Sequence, residues 1–330
     1  MGGHGSERAG DGRDGEAAAL CPACGEPLEP YDRFCEACGR AARADDGGHV
    51  ETELPGRAAG VSDTGLARDR NEDALAMAAV PRTRTVCAVV CDGVAAAPGS
   101  DRAARVAADT GTAALVERLE AGDGPEKATR AALDRASRAV ADLAAGHRNP
   151  PACTYVSAVV EPRSVTVGWV GDSRAYWISC RGDRGSLLLT RDDSWADLMI
   201  SRRAMSEPAA RADPRAHLLT GWLGSAAAAF APHAATFRPK GPGAVLVCSD
   251  GLWNHLPDAA TLEEAARAAA GRDDGLLDVA RGLVQAALDG GGHDNVTVAL
   301  IPYPPLPYPP LPPRSTDPDP PDEPPREPLR

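Results

Sequence analysis

Apolar residues along this chain fall into two kinds of block: short continuous runs and longer helical stripes. Val86 to Val90, Val167 to Val170 and Val245 to Cys248 are the runs of buried strands. Each stops on an acid beside a glycine: Asp92-Gly93, Gly171-Asp172 and Asp250-Gly251. Near the end, Gly290 to Asn295 delivers Asp294 just ahead of another apolar run, Val296 to Leu300. Further strands are predicted over Gly60–Arg68, Ala74–Val80, Thr154–Val160, Ser164–Val170, Ala175–Ser179 and Leu187–Thr190, with hairpin turns at Glu161-Pro162-Arg163 and Gly182-Asp183.

Helical spacing appears over Asp101–Glu120, where Ala103, Val106, Ala107, Thr110, Ala114 and Leu115 form one stripe. Gly122 to Pro125 breaks it, and a second helix runs over Glu126–Ala145, ended by Gly146. A short helix is predicted over Asp192–Arg203, and a later pair over Asp258–Ala270 and Asp273–Leu288. Met205–Gly224 is mixed in character and reads as a flap. Strands, two helices, strands, two helices and a last strand make a layered α+β architecture, with the helix pairs on opposite outer faces.

The flanks differ from this body. Residues 1–19 are polar and Gly-rich, and their composition predicts disorder. Residues 20–40 carry Cys21-Pro-Ala-Cys24-Gly and Cys35-Glu-Ala-Cys38-Gly. Each Cys-x-x-Cys-Gly is a knuckle that aims two thiolates at one ion, and two knuckles supply the four-sulfur tetrahedral shell that Zn²⁺ favours. Disulfides or free thiols are the other reading, disfavoured in a chain whose start lacks the apolar segment of a secretory signal. A closed site of this kind is structural, and metal binding would supply most of the folding free energy of so small a ribbon. Its mixed charges suit protein docking better than nucleic acid. Residues 41–58 read as a Gly/Asp/Arg-rich linker, 59–301 as the main domain, and 302–330 as a Pro-rich, then acidic tail, extended as polyproline II or disordered.

Charge and composition narrow the function. The net charge of −12 argues against nucleic acid as the main partner. No apolar run is long enough to span a bilayer, so a soluble, cytoplasmic protein is expected. Aromatics make up only 4% of the chain, so the core must be built from Ala, Val and Leu. Acids at strand ends scattered over the whole sequence are the pattern of a site assembled by folding. An oxygen-only set of this kind suits hard cations such as Mg²⁺ or Mn²⁺. A lone Asp-Gly is usually only a turn; co-occurrence gives these acids their weight.

Read together, the motifs resemble the protein phosphatase 2C, or PPM-type, metal-dependent Ser/Thr phosphatases, bacterial branch. The resemblance covers about Ala59 to Ile301. It rests on Arg68-x-x-Asn71-Glu72-Asp73, Cys91-Asp92-Gly93, Val170-Gly171-Asp172-Ser173-Arg174-Ala175-Tyr176, Leu189-Thr190-Arg191-Asp192-Asp193-Ser194-Trp195, Leu246-x-x-Ser249-Asp250-Gly251-Leu252 and Gly292-His293-Asp294-Asn295-Val296-Thr297. It implies a four-layer α-β-β-α sandwich of two packed antiparallel sheets flanked by helix pairs. It also implies hydrolysis of phosphoserine and phosphothreonine by a water activated at two Mn²⁺ or Mg²⁺ ions. On that resemblance Asp92 bridges the ions and the Gly93 carbonyl binds one of them. Asp250 and Asp294 complete the shell of the first ion. Asp73, with Glu72 behind it, holds metal-bound waters. Asp172 shares a third, weaker position with Asp250, and Arg68 clamps the substrate phosphate. The partners implied are phosphorylated proteins and a cognate Ser/Thr kinase, with a monomeric enzyme and no phosphoenzyme. Arg174, in a strand beyond Asp172, is expected to pair structurally with a nearby acid.

The chain departs from the family pattern in places. Val94-Ala95-Ala96-Ala97-Pro98-Gly99 follows Gly93 where a His is usual, so solvent water is expected to protonate the leaving group. Ala152-Cys153-Thr154 stands where Gly-Thr-Thr is usual, and Asp193 stands where a His is common. The altered loop favours a second reading, a catalytically weak phosphatase fold that docks phosphoproteins. The complete acid set favours the first.

Overall fold

A computed structural model of the protein describes residues 26–27, 48–94, 98–144, 148–180, 185–224, 232–270 and 275–305. Cys21, Cys24, Cys35 and Cys38, with nearly all of the predicted ribbon, lie outside the described residues, as do 1–19 and everything beyond 305.

The chain runs β1 (His49–Leu54), β2 (Ala58–Asp63), β3 (Asp73–Ala79), β4 (Val86–Asp92), α1 (Ser100–Glu120), α2 (Pro125–Ala141), β5 (Tyr155–Glu161), β6 (Ser164–Val170), β7 (Arg174–Ser179) and β8 (Leu187–Leu188). It continues with α3 (Trp195–Ser201), α4 (Glu207–Arg211), β9 (His233–Phe237), β10 (Gly243–Cys248), α5 (Asp250–Trp253), α6 (Ala259–Ala269), α7 (Leu276–Asp289) and β11 (Val296–Tyr303). One sheet has six strands in the order β1-β2-β11-β10-β7-β8, and the other has five in the order β3-β4-β5-β6-β9. Every pairing is antiparallel.

The period of two along a strand explains the layers. In β4, Val86, Ala88 and Val90 face the other sheet, while Cys87, Val89 and Cys91 face the side where Ala103, Ala107, Leu115 and Leu133 of α1 and α2 lie. In β10, Val245 and Val247 join the layer between the sheets, while Leu246 and Cys248 pack with Leu262, Leu283 and Val284 of α6 and α7. Two-faced burial is why these strands read as unbroken apolar runs rather than alternating ones. Helix pairs therefore cover the two outer faces, as the element order predicts.

Six features differ from the sequence reading. The stretch read as linker 41–58 contains β1, which pairs along its length with β2. Its Gly-rich approach masks it, and it is held from the side by Arg281, whose Nε and Nη2 donate to Glu51 at 2.7 Å each. β9 has no apolar alternation to betray it; among the described residues it is an edge strand paired to β6 alone. β8 keeps only two of the four residues predicted, and the last strand runs on to Tyr303. Asp250-Gly251 is not a turn but the first residues of the four-residue helix α5. Cys87, Cys91, Cys153 and Cys248 are buried, as apolar neighbours predict, but Cys180 is exposed.

Candidate active site

Antiparallel pairing carries the acids to one end of the sandwich. Asp73 opens β3 and Asp92 closes β4, and the two are cross-strand partners. Asp172 lies in the turn between β6 and β7, Asp250 begins α5 just after β10, and Asp294 stands just before β11. β10 pairs with β7 on one side and β11 on the other, with Cys248 opposite both Arg174 and Val298. The ends bearing Asp172, Asp250 and Asp294 are therefore neighbours, and the β4–β5–β6 pairing brings Asp92 to the same rim from the other sheet.

The carboxylates act on one another. Burial, then the charges of Asp73, Asp250, Asp172 and Asp294, push the Asp92 carboxyl well above the usual range. Burial first, then Asp250 and Asp192, raises Asp172 to about 8. Burial raises Asp73 to about 7, against lowering hydrogen bonds from Ser249 and Thr297. Asp250 is raised by burial and by Asp294, opposed by a hydrogen bond shared with Asp92. Low dielectric and like charge both disfavour the ionised form, so the rim holds more negative charge than it can neutralise alone.

Arg68, exposed on the loop after β2, is the cation nearest this rim in the hydrogen-bond network. Its Nη2 donates to Asp294 Oδ2 at 2.6 Å, and this contact with the fields of Asp250 and Asp92 raises the guanidinium further. The sequence reading gave Arg68 to a phosphate and Asp294 to a metal; here the two meet each other. Glu72 is only partly buried, and burial first raises its carboxyl. Its backbone N–H donates to Asn295 Oδ1 at 2.7 Å.

The supporting residues are those that sequence reasoning did not single out. Ser249 Oγ donates to Asp73 Oδ2 at 2.7 Å and accepts from Thr297 N at 3.0 Å. Thr154 holds Asp92 through both its backbone N–H, which donates to the Asp92 carbonyl at 2.8 Å, and its Oγ1, which accepts from Asp92 N at 3.0 Å. Asn295 Nδ2 donates to the carbonyls of Thr64 and Arg70 at 2.8 and 2.9 Å, tying the Arg68 loop to the Asp294 turn. Ser249, Asn295 and Thr297 carried a signal through their places in the motifs, and Thr154 and Asp193 through the stretches that depart from the family pattern. Asp193, where a His was expected, accepts from Gly171 N at 3.0 Å and pairs with His233 Nε2 at 2.9 Å, so it fixes the turn that carries Asp172.

Two glycines are required by close approach rather than by turn conformation. A Cβ on Gly251 would lie 1.9 Å from the Asn295 carbonyl oxygen, and one on Gly93 would lie 2.8 Å from that of Glu72. Each Asp-Gly pair is therefore a carboxylate next to a backbone packed against another part of the same rim.

The donor set is oxygen only, and Asp73 Oδ1 is buried with no hydrogen-bond partner among the described residues. Charge, hardness and an orphaned buried carboxylate oxygen all fit a hard divalent cation. Among the described residues, however, no three acidic, His or Cys side chains surround one point closely enough to form a finished shell. The fit is one of chemistry and location, not of completed coordination geometry.

The comparisons agree with this fold. No curated protein sequence matches the chain. The PPM Ser/Thr phosphatase MsPP from Mycobacterium smegmatis, solved with cacodylate, is 28% identical; the match covers 74% of this chain and 97% of that one, with a TM-score of 0.60. The serine/threonine phosphatase Stp1 from Staphylococcus aureus is 25% identical over 78% of this chain and 97% of its own, with a TM-score of 0.62. The catalytic domain of the phosphatase PstP, solved in complex with 2 manganese ions, shares the fold at 22% identity, over 74% of this chain and 96% of that one, with a TM-score of 0.55. The sequence profile described as Protein phosphatase 2C matches residues 67–272, more than half of the chain. With that match, the sandwich and the acid-lined rim, the chain belongs to the protein phosphatase 2C family of serine/threonine phosphatases and is a phosphatase hydrolase.

Proposed function

We propose that this protein hydrolyses phosphoserine and phosphothreonine in proteins at a two-metal centre on the acid-lined rim. The observation that carries the reading is the grouping of Asp73, Asp92, Asp172 and Asp250, raised by burial and mutual repulsion, with Asp294 among the charges that act on them. Asp92, Asp250, Asp294 and the Gly93 carbonyl would hold the ions, with Asp73 and Glu72 behind them and Asp172 at a third position. The manganese pair of the PstP catalytic domain supports Mn²⁺ or Mg²⁺ as the metal. Bound there, the ions supply Lewis acidity and a water of lowered pKa.

This chain's own residues do the rest. Arg68, exposed beside Asp294, is available to orient a phosphate, for which a planar guanidinium suits bidentate contact. Ser249 holds the Asp73 carboxylate, which therefore loses little freedom on binding a cation, and Thr154 holds the Asp92 backbone at the rim. No histidine follows Gly93 to protonate the leaving oxygen, which leaves that proton to solvent.

In the same reading, 59–301 with β1 ahead of it is the catalytic domain, and Cys21, Cys24, Cys35 and Cys38 form one structural Zn²⁺ ribbon. The substrates are phosphoproteins opposed by a Ser/Thr kinase, and the enzyme is a monomer in bacterial cytoplasmic signalling. Among the described residues no helix is long and apolar enough to cross a membrane.

The test is turnover of a phosphothreonine peptide by the purified chain, with and without Mn²⁺. Hydrolysis only with metal is expected. Peptide binding without turnover at any Mn²⁺ concentration would instead favour the second reading, a weak phosphatase fold that docks phosphoproteins, which the altered loop after Gly93 supports. One equivalent of zinc retained after dialysis, and lost in Cys35→Ser/Cys38→Ser, is the expected result for the ribbon.

A further inference from the structure

The strands that carry the acids at one end have an aromatic groove at the other. Where β7 and β9 end and β10 begins, a cavity of about 320 Å³ is lined by Trp177, Leu187, Phe237, Arg238, Lys240 and Pro242. The Trp177 ring lies 5.6 Å from that of Phe237 and 5.5 Å, edge-on, from that of Tyr303, so the aromatic wall continues onto the last residue of β11. Leu187 is 38% exposed at its lip. Arg238 and Lys240 are exposed, and neither makes an ion pair among the described residues. Beyond Tyr303 the chain does not turn away into solvent at once: Pro304 is exposed, but Pro305 is buried.

We propose that the chain's own segment Leu306-Pro-Tyr308-Pro-Pro-Leu311-Pro-Pro313 docks in this groove, with Asp317, Asp319, Asp322 and Glu323 beyond it drawn to Arg238 and Lys240. The chemistry matches on both counts. Polyproline II is set before binding, loses little entropy on docking, and is taken by aromatic-lined grooves. The acidic run that follows meets cations that make no ion pair among the described residues. The segment starts at the groove's own wall, since Tyr303 contacts Trp177. Its effective concentration there is on the order of millimolar or higher, so a weak contact suffices. β10 spans six residues, about 20 Å, between groove and acid rim, so the docked segment leaves the rim open. The inference does not depend on the metal reading.

The experiment uses the full chain with 3-fluorotyrosine in place of tyrosine, the Tyr308 fluorine signal being assigned by its loss in Tyr308→Phe. The expected signal is shifted from that of a free peptide of residues 304–330, as broad as that of Tyr303, and unchanged on tenfold dilution. In Arg238→Glu/Lys240→Glu and separately in Leu187→Asp it should lose at least half of that shift, while circular dichroism stays that of the parent. A narrow, peptide-like Tyr308 signal in the parent overturns the proposal. So does broadening that disappears on dilution, which would make the occupant's partner a second copy, and so does a shift that survives both variants, which would put the segment elsewhere.

Discussion

Asp172 and Asp192 are equally buried, each 8% exposed, on neighbouring loops, yet their surroundings are opposite. Asp192 receives Arg174 Nε at 2.9 Å and Nη2 at 2.7 Å, and the same guanidinium lies 3.7 Å over the Trp253 ring and donates to Tyr176 Oη at 3.1 Å. Its charge is neutralised by its own chain. Asp172 has only a share of that arginine's field and faces Asp250, and its carboxyl is pushed up to about 8. The difference separates structure from function: a buried acid with its own cation is part of the scaffold, whereas buried acids grouped without one call for a cation from outside.

The largest effect is expected from Arg174→Met. It leaves Asp192 buried and alone, and should cost about 3–5 kcal/mol in urea unfolding. A loss under about 1 kcal/mol would mean that the pair is not the scaffold element described. Asp250→Asn is the counterpart on the rim. Metal-dependent turnover should fall on the order of 10²–10³-fold, while metal-free thermal stability should stay level or rise, because one of several like charges is gone. Normal turnover in this variant would remove Asp250 from the chemistry.

A smaller effect appears as pH dependence of the metal-free protein. The folded Asp73 carboxyl, raised from 3.8 to about 7, binds a proton that the unfolded chain has lost. Its contribution to stability is full below about pH 4 and declines as pH rises to about 7, at no more than about 1.4 kcal/mol per pH unit. Asp172 extends the decline to about 8. Urea midpoints at pH 5 and pH 8 should differ in that direction, less so in Asp73→Asn, and added Mn²⁺ should offset the loss at pH 8. The least effect is expected far from the rim, at the Glu51–Arg281 pair that holds β1. Both side chains are partly exposed, so Arg281→Ala should cost less than about 1 kcal/mol. Arg281 holds the Glu51 carboxyl at about 2, so this contribution is present above about pH 4.5 and lost as pH falls through about 2. A pH-independent effect of the substitution would show that packing, not charge, holds the strand.

Much of the fold was legible along the chain. β4, β6 and β10 are apolar on both faces and bounded by Asp-Gly or Gly-Asp, and α1 and α2 carry clear stripes broken at Gly122 to Pro125. β9 was not legible, because the half-exposed edge strand His-Ala-Ala-Thr-Phe has neither apolar run nor alternation, and β1, which alternates Val50, Thr52 and Leu54 with Glu51 and Glu53, is hidden behind a Gly-rich stretch. For the rim, the motifs marked the acids; Thr154 and Asp193 stood out only as parts of altered stretches, and nothing local showed that one holds Asp92 and the other the Gly171 turn. Both act through backbone hydrogen bonds that any Thr or Asp could make elsewhere.

Most strands and helices, and the acids at strand ends, can be read along the chain, since period, glycine and proline act over a few neighbouring residues. Only the tertiary structure decided that those ends share one rim, that Arg68 meets Asp294 from 226 positions away, and that Arg174 serves Asp192 rather than Asp172. Strand order and register set these pairings, and they are decided by burial across the whole sandwich, which no local pattern encodes.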